Sequence, residues 1–149
     1  MQAQMLAPAA VLVLWSIVML VWMAATRFPA ISKAEKGSIK PKPGIRGQDL
    51  ESALPDKVNW KSHNYSHLME QPTVFYPAVI ILAIMGAGAT DVLLAWIYVA
   101  LRIMHSLWQS LVNTIPVRIT LFLLSTFALA ALAVRAVIAT LFFDPGVVS

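Results

Sequence analysis

The chain has 149 residues, 59% of them hydrophobic and only 12% charged, whereas a soluble globular domain carries about 25% charged residues. The composition is that of a membrane protein with a single domain, residues 1–149. It contains no cysteine, which excludes a disulfide framework, a thiolate metal site and a catalytic cysteine. The net charge of +4 does not make a nucleic-acid footprint, because eight of the eleven Lys and Arg residues fall between Arg27 and Lys61. That clustering reads as a topology signal instead.

Met1 to Thr26 has no charged side chain, and Leu6 to Thr26 is long enough to cross a bilayer. The opening MQAQ lacks the basic residues of a signal peptide, so residues 6–26 are expected to form an uncleaved first span. From Arg27 to about Asn59 the chain is rich in Pro and Gly and shows no sustained apolar period, which is connector chemistry. Its Lys and Arg residues place the loop of about 27–67 on the cytoplasmic side, within reach of anionic headgroups, and both termini on the opposite side. Trp60 to Glu70 reads as an interfacial lead-in to a second span, about 72–89, with Pro72 in its first turn and Pro77 as a kink. Gly86 to Asp91 is a tight reversal, with Thr90 or Asp91 capping a third span, about 91–113. Asn113 to Pro116 breaks the chain again. A fourth span, about 117–143, is closed by Asp144 and Pro145. The predicted fold class is all-α integral membrane: a four-transmembrane-helix bundle.

The third span carries the chemistry. Asp91, Tyr98, Arg102, His105 and Gln109 follow steps of seven, four, three and four, which align them on one helical stripe. The other side holds Leu93, Ala100, Ile103, Met104, Leu107 and Leu111, suited to lipid or to other helices. A guanidinium near the bilayer centre costs several kcal/mol, so Arg102 is expected to face the bundle interior or a wet cavity. Ideal helices put Glu70, Gln109, Asn113 and Arg118 near the cytoplasmic ends of their spans, with His105 one turn deeper and Arg102 deeper again. Together they describe a cationic cleft with one carboxylate at its rim, fit for an anionic or zwitterionic ligand. The competing reading is a polar network that only fixes helix packing. Glu70 lies roughly 14 Å shallower than Arg102 by the rise per residue, which favours a cavity over a dry ion pair. His63, His67 and Glu70 have metal-ligand spacing, but interfacial histidines account for it and no metal is expected. Arg135, deep in the fourth span, has Asp91 or Asp144 as its structural partner.

Three stretches carry a resemblance: HxxEQPTVFY at His67 to Tyr76, LAWIYVALRIMHS at Leu94 to Ser106, and NTIPVR at Asn113 to Arg118. In these the chain resembles the MAPEG family (membrane-associated proteins in eicosanoid and glutathione metabolism), most of all its small bacterial members, for which the membrane is the inner one. The resemblance implies a homotrimer of four-helix protomers that binds glutathione between subunits near the cytosolic face. It also implies conjugation or peroxide reduction on a lipophilic electrophile. Arg118 would be the catalytic arginine that stabilises the glutathione thiolate, and Glu70 the ligand-binding glutamate. His67, Arg102, His105, Gln109 and Asn113 would complete the site. The chain departs from the eukaryotic enzymes at four places. Their Arg-Asn pair before the glutamate is Ser66 and His67 here. Their tyrosine one turn after the third-helix histidine is Gln109, and Ile119 follows the thiolate arginine. These replacements keep a rival reading open, that of a non-catalytic accessory subunit of a larger membrane complex or a binder of anionic lipid.

Overall fold

The computed structural model describes residues 1–35, 37–39 and 42–142. The described residues form α1 (Gln2–Lys33), a short 3-10 segment (Gly47–Ala53), α2 (Asp56–Glu70), α3 (Pro72–Ile84), α4 (Ala89–Leu111) and α5 (Ile115–Leu141). Gln71, between α2 and α3, keeps helical angles of φ −61° and ψ −39°, and the two helices break only because Pro72 has no N–H to donate. They therefore travel as one span, and four stretches are long and apolar enough to cross a membrane: Gln2–Lys33, Asp56–Ile84, Ala89–Leu111 and Ile115–Leu141. The fold is a four-span helical bundle.

The elements differ from the sequence reading at their ends. α1 does not stop at Thr26 but runs through Arg27 and Pro29 to Lys33. At about 48 Å it exceeds the ~30 Å hydrocarbon core. A charged residue marks where a helix leaves lipid, but the backbone keeps its own hydrogen bonds beyond that point. Thr26 Oγ1 supports this stretch by donating to the carbonyls of Trp22 and Met23 at 3.0 and 3.1 Å. The segment expected as a loop and lead-in is likewise helical from Asp56, so the connector shrinks to Ala34–Pro55. α5 begins at Ile115 with Pro116 in its first turn, two residues ahead of the expected Val117. Phe143, Asp144 and Pro145, read as the end of the fourth span, lie outside the described residues, as do Lys36, Lys40 and Pro41 of the connector.

The reversal between α3 and α4 uses Gly86 at φ +88°, a conformation that side chains disfavour. Gly88 is the N-cap of α4, and Asp91, three residues on, accepts its N–H at 2.8 Å. Asp91 thus closes the helix start as the returning half of a capping box and is not the cap itself.

Packing joins α1 to α2, α3 and α4, while α5 lies against α4 and α3. Phe75 stacks on Tyr98 with ring centroids 4.3 Å apart, among Leu12, Met19, Val79 and Leu132, all fully buried or nearly so. Polar bridges fix which helices meet. Ser106 Oγ accepts Trp15 Nε1 at 3.0 Å and Asn64 Nδ2 at 2.7 Å, tying α1 and α2 to α4. Gln71 donates to Thr126 of α5 at 2.8 Å and accepts Tyr98 Oη at 3.4 Å. The outward faces are apolar, with Leu14, Ile84 and Phe127 all at least 65% exposed, which suits contact with lipid.

The connector is strapped to the bundle. Arg27 donates to Ser62 Oγ and to the Gly47 carbonyl, and Asn59 Nδ2 donates to the carbonyls of Glu51 and Leu54. His63 Nε2 lies 2.9 Å from Glu51 Oε1.

Candidate functional site

The stripe along α4 is buried as its periodicity predicts: Asp91, Tyr98, Arg102, His105 and Gln109 face inward, joined by Ser106 and Ser110. On the opposite face Leu93, Met104, Leu107 and Leu111 are exposed. Arg102 is 1% exposed, and among the described residues no carboxylate reaches it. Its Nη2 donates to the His67 carbonyl at 3.0 Å, while Nε and Nη1 have no partner among the described residues. A buried guanidinium in that condition is costly unless an anion or water joins it. Its charge lies 5.9 Å from the centroid of the Phe122 ring, which forms the next layer outward.

In front of that layer a cleft of about 150 Å³ opens between α2, α4 and α5, lined by His67, His105, Arg118, Ile119 and Phe122. The two imidazoles meet edge to face at 5.8 Å, and each lies 6.2 Å from the Phe122 ring. Arg118 is aimed by the turn that precedes it. Asn113 sits at φ +58°, the left-handed region that Asn tolerates better than most residues, and its Oδ1 accepts Arg118 Nη1 at 2.7 Å. The Asn113 N–H returns to the Trp108 carbonyl at 2.7 Å, and Trp108 Nε1 donates to Thr114 at 3.0 Å, so the end of α4 holds this turn. The wall of the cleft thus carries a guanidinium and two imidazoles, with the unpaired charge of Arg102 behind it. Glu70, 67% exposed at its side chain, stands at the rim with Oε2 3.4 Å from His67 Nδ1. Such a surface attracts an anion.

A model of the MAPEG family matches residues 5–138. The chain belongs to the MAPEG family. No curated protein and no solved structure matches it. With four apolar spans, this MAPEG chain is an integral membrane protein.

Of the site residues read from the sequence, the structure brings His67, His105 and Arg118 onto one cleft. Glu70 stays at its edge. Asn113 holds Arg118 and does not line the cleft. Gln109 is 2% exposed with Oε1 unpartnered, inside the bundle beside the site. Arg102 lies behind Phe122. His63 turns towards Glu51, not His67, and among the described residues no three His, Asp or Glu side chains converge on one point. Phe122 is the wall residue that sequence reasoning missed. Its signal was its place one turn after Arg118 on α5, which puts it on the same helix face.

Proposed function

We propose that this MAPEG protein is a glutathione-dependent transferase acting on lipophilic electrophiles that arrive from the bilayer. Arg118 is the residue that stabilises the thiolate. The observation that carries this reading is the orientation of Arg118 by Asn113 into a cleft with two imidazoles and no acid inside it. A fixed guanidinium beside a thiol favours the ionised, nucleophilic sulfur. The thiolate lone pair attacks the electrophilic carbon, an S–C bond forms, and the leaving group departs with its electron pair. His67, His105 and the charge of Arg102 attract the carboxylates of glutathione, and Glu70 at the rim accepts its ammonium. Ile119 and Phe122 offer the apolar side on which the electrophile rests. The cleft of about 150 Å³ on one protomer is small for a tripeptide, which supports a homotrimer whose neighbouring subunit completes the site, with the basic connector on the cytoplasmic side.

The test is conjugation of glutathione to 1-chloro-2,4-dinitrobenzene by detergent-purified protein, read by absorbance, with calorimetric glutathione binding in parallel. Arg118→Ala is expected to lose about 100-fold in kcat/KM, the scale of removing one preorganised donor to a developing anion, while the oligomer stays intact. Absence of both binding and turnover at millimolar glutathione in the wild type would overturn the proposal and leave the accessory-subunit reading.

A further inference from the structure

Among the described residues three carboxylates pair with a guanidinium or an imidazole: Asp91 with Arg135, Glu51 with His63, and Glu70 with His67. The first pair lies at the turn between α3 and α4 and closes a helix start, since Asp91 also takes the Gly88 N–H. The second fastens the connector to α2. Packing accounts for both. The third has no such task, because the Glu70 side chain is 67% exposed and an exposed carboxylate gains little from a pair of this kind. It is also the pair whose imidazole lines the cleft with Arg118.

A guanidinium favours a thiolate but cannot take the proton that the thiol loses, because it is already protonated at any working pH. Ile119 and Phe122 cannot take it either, which leaves the imidazoles of His67 and His105 among the residues that line the cleft. Imidazole accepts and releases a proton near neutrality. Geometry separates the two rings. No carboxylate among the described residues reaches His105. His67 has Glu70 three residues on, on the same face of α2, with Oε2 3.4 Å from Nδ1. Nδ1 is sealed from solvent and has no hydrogen bond to another described residue. The carboxylate therefore favours the ring hydrogen on Nδ1 and leaves the Nε2 lone pair for a ligand. A separation of 3.4 Å is long, and such contacts tighten once substrate is in place. The ring is held by its neighbours, edge to face with His105 at 5.8 Å and 6.2 Å from Phe122. Its backbone carbonyl accepts Arg102 Nη2.

We propose that His67, oriented by Glu70, is the general base that takes the thiol proton of glutathione, a catalytic residue beside Arg118. The inference rests on the glutathione reading above. The S–H bond breaks, its electron pair stays on sulfur, and the proton moves to Nε2 of His67. The Nδ1–H turns to Oε2 of Glu70, whose other oxygen is left for the ammonium of the ligand. After the S–C bond has formed and the leaving group has gone, His67 gives its proton to water at the rim and is neutral again. Where the eukaryotic enzymes carry an asparagine, which cannot take up a proton, this chain has a group that can. The charged and titratable groups around His67 are His63 and Glu70 on its own helix, Arg102 and His105 on α4, and Arg118 on α5. Glu70 is the one carboxylate among them and carries the countercharge.

The experiment counts protons on the detergent-purified full chain. Ultraviolet absorbance gives the thiolate formed when glutathione binds, and calorimetry in two buffers of different ionisation enthalpy gives the protons released. S-methylglutathione, which has no thiol proton, supplies the blank. At neutral pH the wild type is expected to form thiolate and release almost no proton, whereas His67→Gln releases a whole proton per thiolate. Glu70→Gln, at an exposed side chain, is expected to fall between them. His67→Gln is also expected to lose about 100-fold in kcat at neutral pH and to recover at alkaline pH, where the thiol ionises without a base. Equal proton release per thiolate in the wild type and both variants would overturn the proposal and leave the glutathione reading standing. So would a loss of rate in His67→Gln that persists at alkaline pH, which would make the ring structural. No glutathione binding by the wild type would overturn both.

Discussion

Arg102 and Arg135 lie on packed neighbouring helices and are held in opposite ways. Arg102 is 1% exposed and, among the described residues, its side chain has a single hydrogen bond, to a carbonyl. Arg135, with 43% of its side chain exposed, has a buried carboxylate gripping it at two nitrogens. Solvation alone would arrange them the other way, since burial is what makes a partner necessary. The contrast separates two uses of charge in a membrane. At the turn end the pair closes a helix start and joins α4 to α5, so its negative member is built in. At the connector end no negative member is built in among the described residues, and the fold carries the cost of the buried guanidinium; in the function proposed above, a carboxylate of glutathione would supply it.

The strongest way to break that contrast is Arg102→Leu. Glutathione binding, measured by calorimetry, is expected to weaken about 30-fold, the worth of a unit charge ~8 Å away at an effective dielectric of ~20. The melting midpoint is expected to hold or rise, because an apolar replacement relieves an unpaired buried charge. A lower midpoint with unchanged binding would make Arg102 structural. Arg135→Ala is the mirror experiment. It strands Asp91 and is expected to cost about 2 kcal/mol in unfolding, less than a fully buried pair because Arg135 is exposed, with glutathione binding unaltered. The double variant Asp91→Asn with Arg135→Gln should recover most of that loss. Should it not, the two residues act separately and the pairing argument fails.

Asn113→Gly sharpens the comparison from within the cleft. Glycine accepts the φ of +58°, so stability should stay within about 0.5 kcal/mol, while loss of the Arg118 acceptor lowers the conjugation rate about tenfold. Asn113→Ala adds backbone strain of about 1 kcal/mol, visible in thermal unfolding and absent from the glycine variant. The smallest effect is expected from Trp15→Phe. Removing the Nε1 bond to Ser106 should cost about 1 kcal/mol, equally with and without glutathione.

What could be read from the residues follows from the range of the interactions involved. The α4 stripe was legible because its five polar positions repeat at helical spacing within one element. The turn at Gly86 and the start of α3 at Pro72 were legible because both residues constrain their own backbone. The continuation of α1 past Arg27 was not, since charge reports the solvent around a helix and says nothing of its hydrogen bonds. Asp56 to Glu70 escaped for a related reason. Its inward residues include Asn59 and Asn64, which a search for apolar periodicity passes over. Of the site, His67, His105 and Arg118 were each named from local motifs, but Phe122 gains meaning only once α5 is laid against α4. Asp91 was named as a cap or as a partner for Arg135; in the structure Gly88 is the cap, and Asp91 accepts the Gly88 N–H while pairing with Arg135, which only the packed bundle can show.

The strap formed by Arg27 has a consequence for how the chain tolerates change in length. It joins residues 35 positions apart, Arg27 and Ser62, so it closes a loop whose entropic cost grows only with the logarithm of its size. Doubling such a loop costs about 0.6 kcal/mol. At Gly44 an added side chain would meet no neighbouring atom within 4 Å. A peptide tag inserted there should leave the bundle assembled, and the side of the membrane on which it is detected would give the orientation of every span. Deletions in the same place face a different limit, because the remaining chain must still reach from α1 to Gly47 before Arg27 can grip it.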